Sequence, residues 1–173
     1  MRRFIKNDHS TRSMSLQNVL EEKRNLYGLI VITGVLGGLL FLIDDFSGAY
    51  WGGGGVQVWE YVGFPSLLEN LGNPMSLLLL PVFLILAGGL FYCAAISGYK
   101  LMNPDYSPTK QLLFYGLVLS GVAFVVSLLG GILAILIYTI EEADDWWLDV
   151  GFFGGLIGGG FTTFFMYLLW RDS

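Results

Sequence analysis

Charged side chains are scarce in this sequence, and four long stretches contain none. Only 13% of the 173 residues are charged, whereas 54% are hydrophobic. A soluble domain carries roughly 25% charged residues. The uncharged stretches are residues 26–43, 75–99, 111–140 and 150–170. Each is close to, or longer than, the roughly 20 apolar residues that cross a bilayer as a helix, so we predict four membrane-spanning helices.

Cysteine and histidine are almost missing, which excludes several kinds of site. The single cysteine, Cys93, lies within the second apolar stretch, and the single histidine, His9, lies near the N-terminus. One thiol forms neither an intrachain disulfide nor a thiolate metal site. One histidine outside the spans supplies no axial ligand to a haem within them. We therefore expect no bound cofactor.

The predicted spans also lack ionisable residues and recognisable catalytic pairs. An ionisable side chain at mid-membrane usually marks an ion path, a proton relay or a ligand site. Hydroxyl residues such as Ser120 and Thr162 have no base nearby in the sequence that would activate them as nucleophiles. We identify no catalytic residue and expect no turnover from this chain alone.

The charges that are present separate completely between the two ends of the predicted helices. All nine lysines and arginines lie before helix 1, between helices 2 and 3, or after helix 4. The two remaining connections carry nine of the fourteen acidic residues. Lysine and arginine resist translocation, so the basic ends are predicted to be cytoplasmic. The sequence thus predicts an all-α transmembrane four-helix bundle in the cell membrane, with cytoplasmic N and C termini.

The chain divides into a tail and a transmembrane domain. Residues 1–25 form a cytoplasmic tail, in which the helical spacing of Leu16, Val19 and Leu20 suggests an amphipathic segment leading into helix 1. The favoured interpretation is that helix 1 simply begins early, and the alternative is a surface segment that contacts anionic lipid or a cytoplasmic partner. Residues 26–173 form the four-helix domain. Its spans are predicted at about 26–43, 75–98, 111–138 and 147–170.

The outer connection between helices 1 and 2, residues 44–74, is predicted to be ordered. From Val56 to Val62 it begins with alternation and is rich in β-branched and aromatic residues, which favours a short strand or an interfacial segment. Ser66 and Glu69 have the spacing of a capping box, with Ser66 as the N-cap of a short helix. The aromatic residues favour a lid at headgroup depth, with a ligand-binding patch as the alternative.

Small residues at intervals of four are the clearest pattern inside the spans. Such residues let helix backbones approach closely in a membrane. The packing surface that they form meets either another helix of the bundle or another subunit. The predicted helix-packing residues are Gly34 and Gly38 in helix 1, and Gly151, Gly155, Gly159 and Thr163 in helix 4.

The second outer connection holds the densest acidic cluster. Its members are Glu141, Glu142, Asp144, Asp145 and Asp149. Carboxylates at this density are candidates for a Ca²⁺ site, although they lack the ordered spacing of a known calcium loop. A solvated acidic rim above the interfacial tryptophans is the favoured interpretation.

These patterns favour a non-catalytic structural or accessory subunit of a membrane complex, or a self-assembling scaffold. The expected partners are membrane lipids and other membrane subunits or copies of the chain, with no nucleic acid. The alternative is an oligomeric channel or transporter for a neutral or lipidic molecule, with a path lined by Ser127, Thr162 and Thr163. An enzyme that acts through the outer carboxylates ranks last.

Overall fold

The computed structural model describes the backbone of residues 8–53 and 56–173 and the side chains of residues 23–52 and 57–173. In chain order, the elements are α1 (Asp8–Ile43), β1 (Asp45–Gly53), β2 (Val56–Gly63), α2 (Phe64–Glu69), α3 (Pro74–Met102), α4 (Lys110–Ile140), β3 (Asp145–Leu148), α5 (Val150–Phe153), a π-helical segment (Gly154–Gly158) and α6 (Gly159–Arg171). The last three continue into one another and are called here the fourth span, Val150–Arg171.

Within the described residues, four helices are long and apolar enough to cross a membrane, so the predicted number of long apolar helices is confirmed. They are Lys23–Ile43, Pro74–Met102, Lys110–Ile140 and Val150–Arg171. The fourth begins at Val150 rather than at residue 147, because residues 145–148 belong to β3. α1 is continuous from Asp8, so the predicted approach segment belongs to the same helix as the first span. The side chains of that segment, and residues 1–7 altogether, lie outside the described residues.

The long helices form a four-cornered bundle. α1 packs against α3 and the fourth span, and α4 packs against the same two, so α1 and α4 lie at opposite corners. One end carries the strands and is called the sheet end. The other is called the basic end, because it holds every lysine and arginine whose side chain is described. These residues are Lys23, Arg24, Lys100, Lys110 and Arg171.

A three-stranded antiparallel sheet joins the two connections at the sheet end. β1 lies between β2 and β3. Tyr50 pairs with Trp59 across β1 and β2, and Ala49 pairs with Trp146 across β1 and β3. The molecule is therefore mostly helical but not all-α as predicted. The sequence indicated only the region of β2, because β1 is glycine-rich and β3 has four residues, so neither shows a sustained strand pattern.

The short helix α2 begins before the predicted N-cap, so the predicted capping box is wrong. Its N-cap is Gly63, which makes no side-chain capping bond. Ser66 lies inside the first turn, where its hydroxyl donates to the Gly63 carbonyl at 3.1 Å. The Ser66 N–H donates to Asp45 Oδ1 at 3.3 Å. A carboxylate from β1 thus satisfies a free N–H group of the first turn.

Buried aromatic rings connect the sheet to the helices. Phe46 of β1 points into the bundle, 6.1 Å from the ring of Phe83 and 5.4 Å from that of Phe152. Phe41 of α1 lies 5.0 Å from Phe83. We call these four residues the phenylalanine cluster. Edge-on ring contacts of this kind add to the free energy gained by burial, so the cluster fixes the sheet on the helix ends.

Candidate functional site

A close contact between helix backbones joins α1 to the π-helical segment of the fourth span. A Cβ atom on Gly158 would lie 2.5 Å from Gly37 Cα, and one on Gly37 would lie 2.9 Å from Gly158 Cα. Neither position has room for a side chain. π-helical turns are rare inside helices, and this one coincides with the glycine contact.

The predicted helix-packing glycines also lie against other parts of the same chain. A Cβ on Gly34 would lie 2.8 Å from the Leu90 carbonyl oxygen of α3, and one on Gly159 would lie 3.0 Å from the Phe124 amide nitrogen of α4. A Cβ on Gly155 would lie 2.5 Å from the ring of Phe41.

The remaining predicted packing residues follow the same pattern. A Cβ on Gly38 would lie 2.8 Å from the ring of Phe91, and one on Gly151 would lie 2.6 Å from the carbonyl oxygen of Asp45. Thr163 lies against α4, where a Cβ on Gly121 would be 3.8 Å from Thr163 Cγ2, while its hydroxyl donates to the Gly159 carbonyl of its own helix at 2.7 Å. The small residues of α1 and of the fourth span are thus closely packed inside one bundle.

Hydroxyl groups are the main polar side chains inside the bundle. Thr33 and Thr162 share a hydrogen bond of 2.9 Å between α1 and α6. Ser97 and Ser127 are fully buried, and their hydroxyls have no hydrogen-bond partner. Thr162 and Ser127, two of the residues assigned to an oligomeric pore, are therefore enclosed within one chain.

The acidic candidates for a metal site act mainly on the nearby backbone. Asp149 caps the fourth span, because its Oδ1 accepts from the Val150 N–H at 2.9 Å. The Asp144 carboxylate accepts from the Gly52 N–H and so ties β1 to the second connection. Asp145 Oδ1 accepts from the N–H of its neighbour in β3 at 2.9 Å.

Glu141 and Glu142 end α4 and complete the acidic candidates. Both side chains are exposed, and Glu142 has a positive φ of 54°. Within the described part of the chain, no three histidine, cysteine or acidic side chains come together as a metal-binding group. The five carboxylates thus lie at separate positions and do not surround one shared site.

One face of the sheet carries a row of aromatic rings, which we call the aromatic face. Its members are Tyr50, Trp59, Tyr61 and Trp147. The Trp59 ring lies 4.5 Å from that of Tyr50 and 6.1 Å from that of Trp147. Trp59 is 55% exposed and Tyr61 is 44% exposed. The opposite face turns toward the bundle, where Trp51 packs on Tyr138.

A groove lies between α3 and α4 near the sheet end. The helices touch at mid-bundle, where a Cβ on Gly89 would lie 3.1 Å from Leu119 Cβ. Nearer the sheet, Phe46 fits between them and would contact a Cβ on Gly130 at 3.2 Å. The resulting cavity has a volume of about 580 Å³. Phe46 acts as a spacer between the two helices.

The groove is apolar along its length and polar where it meets the sheet. Its walls are apolar side chains of α3 and α4, and its floor is formed by Phe41, Phe46 and Phe83 of the phenylalanine cluster. At the sheet, the Ser47 hydroxyl lies 3.0 Å from that of Tyr138. Glu60 of β2 and Glu141 at the end of α4 line the same end of the groove. The apolar wall residues are Met75, Leu79, Val82, Leu86, Val126, Leu133, Ala134 and Ile137.

Hydrogen bonds at the basic end tie the chain segments together. Lys23 donates to the Asp172 carbonyl at 3.0 Å, and Lys100 donates to the Pro104 carbonyl at 2.6 Å. Arg171 Nε donates to Asp172 Oδ1 at 2.9 Å, and this hydrogen bond lowers the pKa of the Asp172 carboxyl. A smaller cavity of about 370 Å³ lies beside these residues. Two of the cationic side chains that line this cavity, Lys23 and Lys100, thus already donate to backbone carbonyls.

The chain matches no protein-family model, no curated protein sequence and no solved structure.

Sequence reasoning missed the groove. Its polar end combines Ser47 and Glu60 of the first connection with Tyr138 and Glu141 at the end of α4. No sequence pattern predicts that these two parts of the chain meet. α4 is hydrophobic on every side, so its sequence does not distinguish the groove wall from the lipid-facing surface. The sequence feature that could have indicated the polar end of the groove was Tyr138, which lies near the end of a mostly apolar helix.

Proposed function

We propose that this chain is a non-catalytic accessory or scaffold subunit of a membrane protein complex, and that the aromatic face is its docking surface. The exposure of Trp59 and Tyr61 on a sheet anchored to the helices is the observation that carries the proposal. Tryptophan and tyrosine dominate the binding energy of many protein interfaces. A fixed strand surface presents them with little loss of conformational entropy on binding.

The interior of the bundle supports a structural role over transport through a single chain. The backbone contact between Gly37 and Gly158 fills the space between two helices, and the apolar stretches of the spans contain no charged residue. Conduction of ions requires fixed charges or oriented carbonyl groups along a wet path. The alternative of an oligomeric pore would require Ser127 and Thr162 to leave their buried positions.

We further propose that the sheet end faces outward and the basic end faces the cytoplasm of the cell membrane. The support is the complete separation of lysine and arginine from the sheet end. In this orientation, the aromatic face meets partners or headgroups on the outer side. Impermeant thiol labelling of a cysteine at the sheet end tests the orientation.

The accessory role is tested by purifying the tagged chain from its native membrane in mild detergent. We expect another membrane polypeptide to copurify with the chain in a fixed ratio. We also expect deletion of the chain to lower the abundance of that polypeptide. Replacing Trp59 and Tyr61 by alanine should release the partner while the bundle stays folded. Phe161→Ala, at an equally exposed aromatic residue of α6, is the matched control.

Two results would overturn the accessory role. One is a chain that purifies alone and whose deletion leaves the abundance of other membrane proteins unchanged. The other is reproducible ion flux in liposomes that contain only this chain, which would move the transporter hypothesis to the front.

A further inference from the structure

We propose that the groove between α3 and α4 binds an amphiphile with a cationic head group. The alkyl chain lies against Phe41, Phe46 and Phe83, and the ammonium group lies beside Glu60 and Glu141. This site is separate from the aromatic face and does not depend on the accessory role.

The size and the lining of the groove suit an alkyl chain. Its volume of about 580 Å³ falls within the range of roughly 300–1,000 Å³ typical of small-molecule sites, which are mostly apolar with a few polar groups. The groove opens toward the membrane, because Leu133 and Ile137 on its rim are 57% and 48% exposed. A lipid chain can therefore enter sideways from the bilayer.

The charge at the polar end selects the head group. Glu60 and Glu141 come from different elements and line the same end of the cavity. The sequence contains no lysine or arginine between residues 25 and 99, so no basic side chain of the first connection or of α3 before Lys100 neutralises them. Because no lysine or arginine of the described residues lies at the sheet end, these two carboxylates attract an ammonium group and repel a phosphate or sulfate.

The buried hydroxyl pair adds a fixed polar point between the chain and the head group. Ser47 is 1% exposed and Tyr138 is 5% exposed, and both line the cavity. One hydroxyl donates to the other, which leaves one hydroxyl hydrogen free to bond. A hydroxyl or carbonyl group next to the ammonium group of the ligand can use this donor.

The experiment uses three photoactivatable probes with the same diazirine-bearing hexadecyl chain. One carries trimethylammonium, one carries sulfonate and one is the plain alcohol. The full chain is placed in phosphatidylcholine nanodiscs, exposed to each probe and light, and mapped by mass spectrometry. We expect the cationic probe to label the wall segments 74–86 and 126–138 up to about fivefold more than the other two, the upper end of the range for an exposed ion pair.

Charge variants separate recognition of the head group from lipid contact in general. Replacing Glu60 and Glu141 together by glutamine should lower labelling by the cationic probe to the level of the alcohol. The matched control replaces Glu69 and Glu142 by glutamine. This pair removes the same charge from exposed positions of the same end that do not line the groove, and it should leave the labelling unchanged.

Blocking variants test the cavity from both walls. Ala134→Phe should fill it from α4, and Val82→Trp should fill it from α3. The Val82 side chain is 38% exposed, so we expect a larger side chain there to leave the core intact. Either variant should abolish selective labelling. Val122→Trp, on the exposed surface of α4 outside the groove, should have no effect.

Three outcomes would overturn the proposal. Equal labelling by all three probes would mean that the groove holds neutral lipid chains. Labelling spread over every exposed helix face, or unchanged by both blocking variants, would mean that no site exists there. A crosslink across the groove between two copies of the chain would identify a second copy as the occupant.

Discussion

At the scale of single residues, the turn after α4 contains a strained position. The Ala143 N–H donates to the Tyr138 carbonyl at 3.0 Å, and the Glu142 N–H donates to the Thr139 carbonyl at 3.4 Å. These bonds form a Schellman motif that places Glu142 at the left-handed position, with a φ of 54°. A residue with a Cβ pays about 1 kcal/mol or more there. We expect Glu142→Gly to raise the free energy of unfolding by about 1 kcal/mol.

Unfolding in sodium dodecyl sulfate, followed by circular dichroism, measures this gain. Glu141→Gly is the control, because Glu141 has an ordinary φ of −79° and its replacement relieves no strain. Equal gains at the two positions would show that a lost charge, rather than backbone strain, is responsible.

The contact between Gly37 and Gly158 makes a second prediction at this scale. In Gly158→Ala, the new Cβ would lie 2.5 Å from Gly37 Cα, so the helices must separate. Overpacking of this kind typically costs about 1–3 kcal/mol. Gly88→Ala is the matched control, because a Cβ there meets nothing within 4 Å. The same detergent titration should show a loss at Gly158 and none at Gly88, and similar stabilities would contradict the close packing.

At the scale of elements, the hydrogen bond between Ser47 and Tyr138 couples β1 to α4. Both side chains are buried, so Tyr138→Phe deprives the serine hydroxyl of its partner and should cost about 1 kcal/mol. Ser47→Ala combined with Tyr138→Phe should cost less than the sum of the single changes. A double-mutant cycle in the same titration measures this coupling. Strict additivity would show that the sheet and α4 are energetically independent.

The elements also show how far the sequence could predict the structure. The four long helices follow from uninterrupted apolar runs, because a bilayer leaves few other solutions for the backbone. The sheet depends on pairing between β1 and β3, which are separated by about 90 residues and two long helices. The groove depends in turn on Phe46 of β1. No local sequence pattern encodes such a long-range contact, so the sequence alone could predict neither the sheet nor the groove.

At the scale of the whole molecule, the proposed orientation rests on charge asymmetry. Every lysine and arginine with a described side chain lies at the basic end, and the sheet end carries carboxylates. A cysteine intended to report on the sheet end must be accessible. Ser47 is 1% exposed and unsuitable, whereas Gln57 of β2 is exposed. Ser107, in the connection between α3 and α4, is an exposed counterpart at the basic end.

The last prediction is that an impermeant maleimide labels Gln57→Cys in intact cells and leaves Ser107→Cys unlabelled until the membrane is opened. Cys93 is fully buried and is replaced by serine, which can keep its hydrogen bond to the Gly116 carbonyl. The reason is that translocation of the basic end would carry lysines and arginines across the bilayer, which is strongly disfavoured. Labelling of Ser107→Cys in intact cells would reverse the orientation and place the aromatic face and the carboxylates of the groove on the cytoplasmic side. Labelling of both positions would indicate a mixed population.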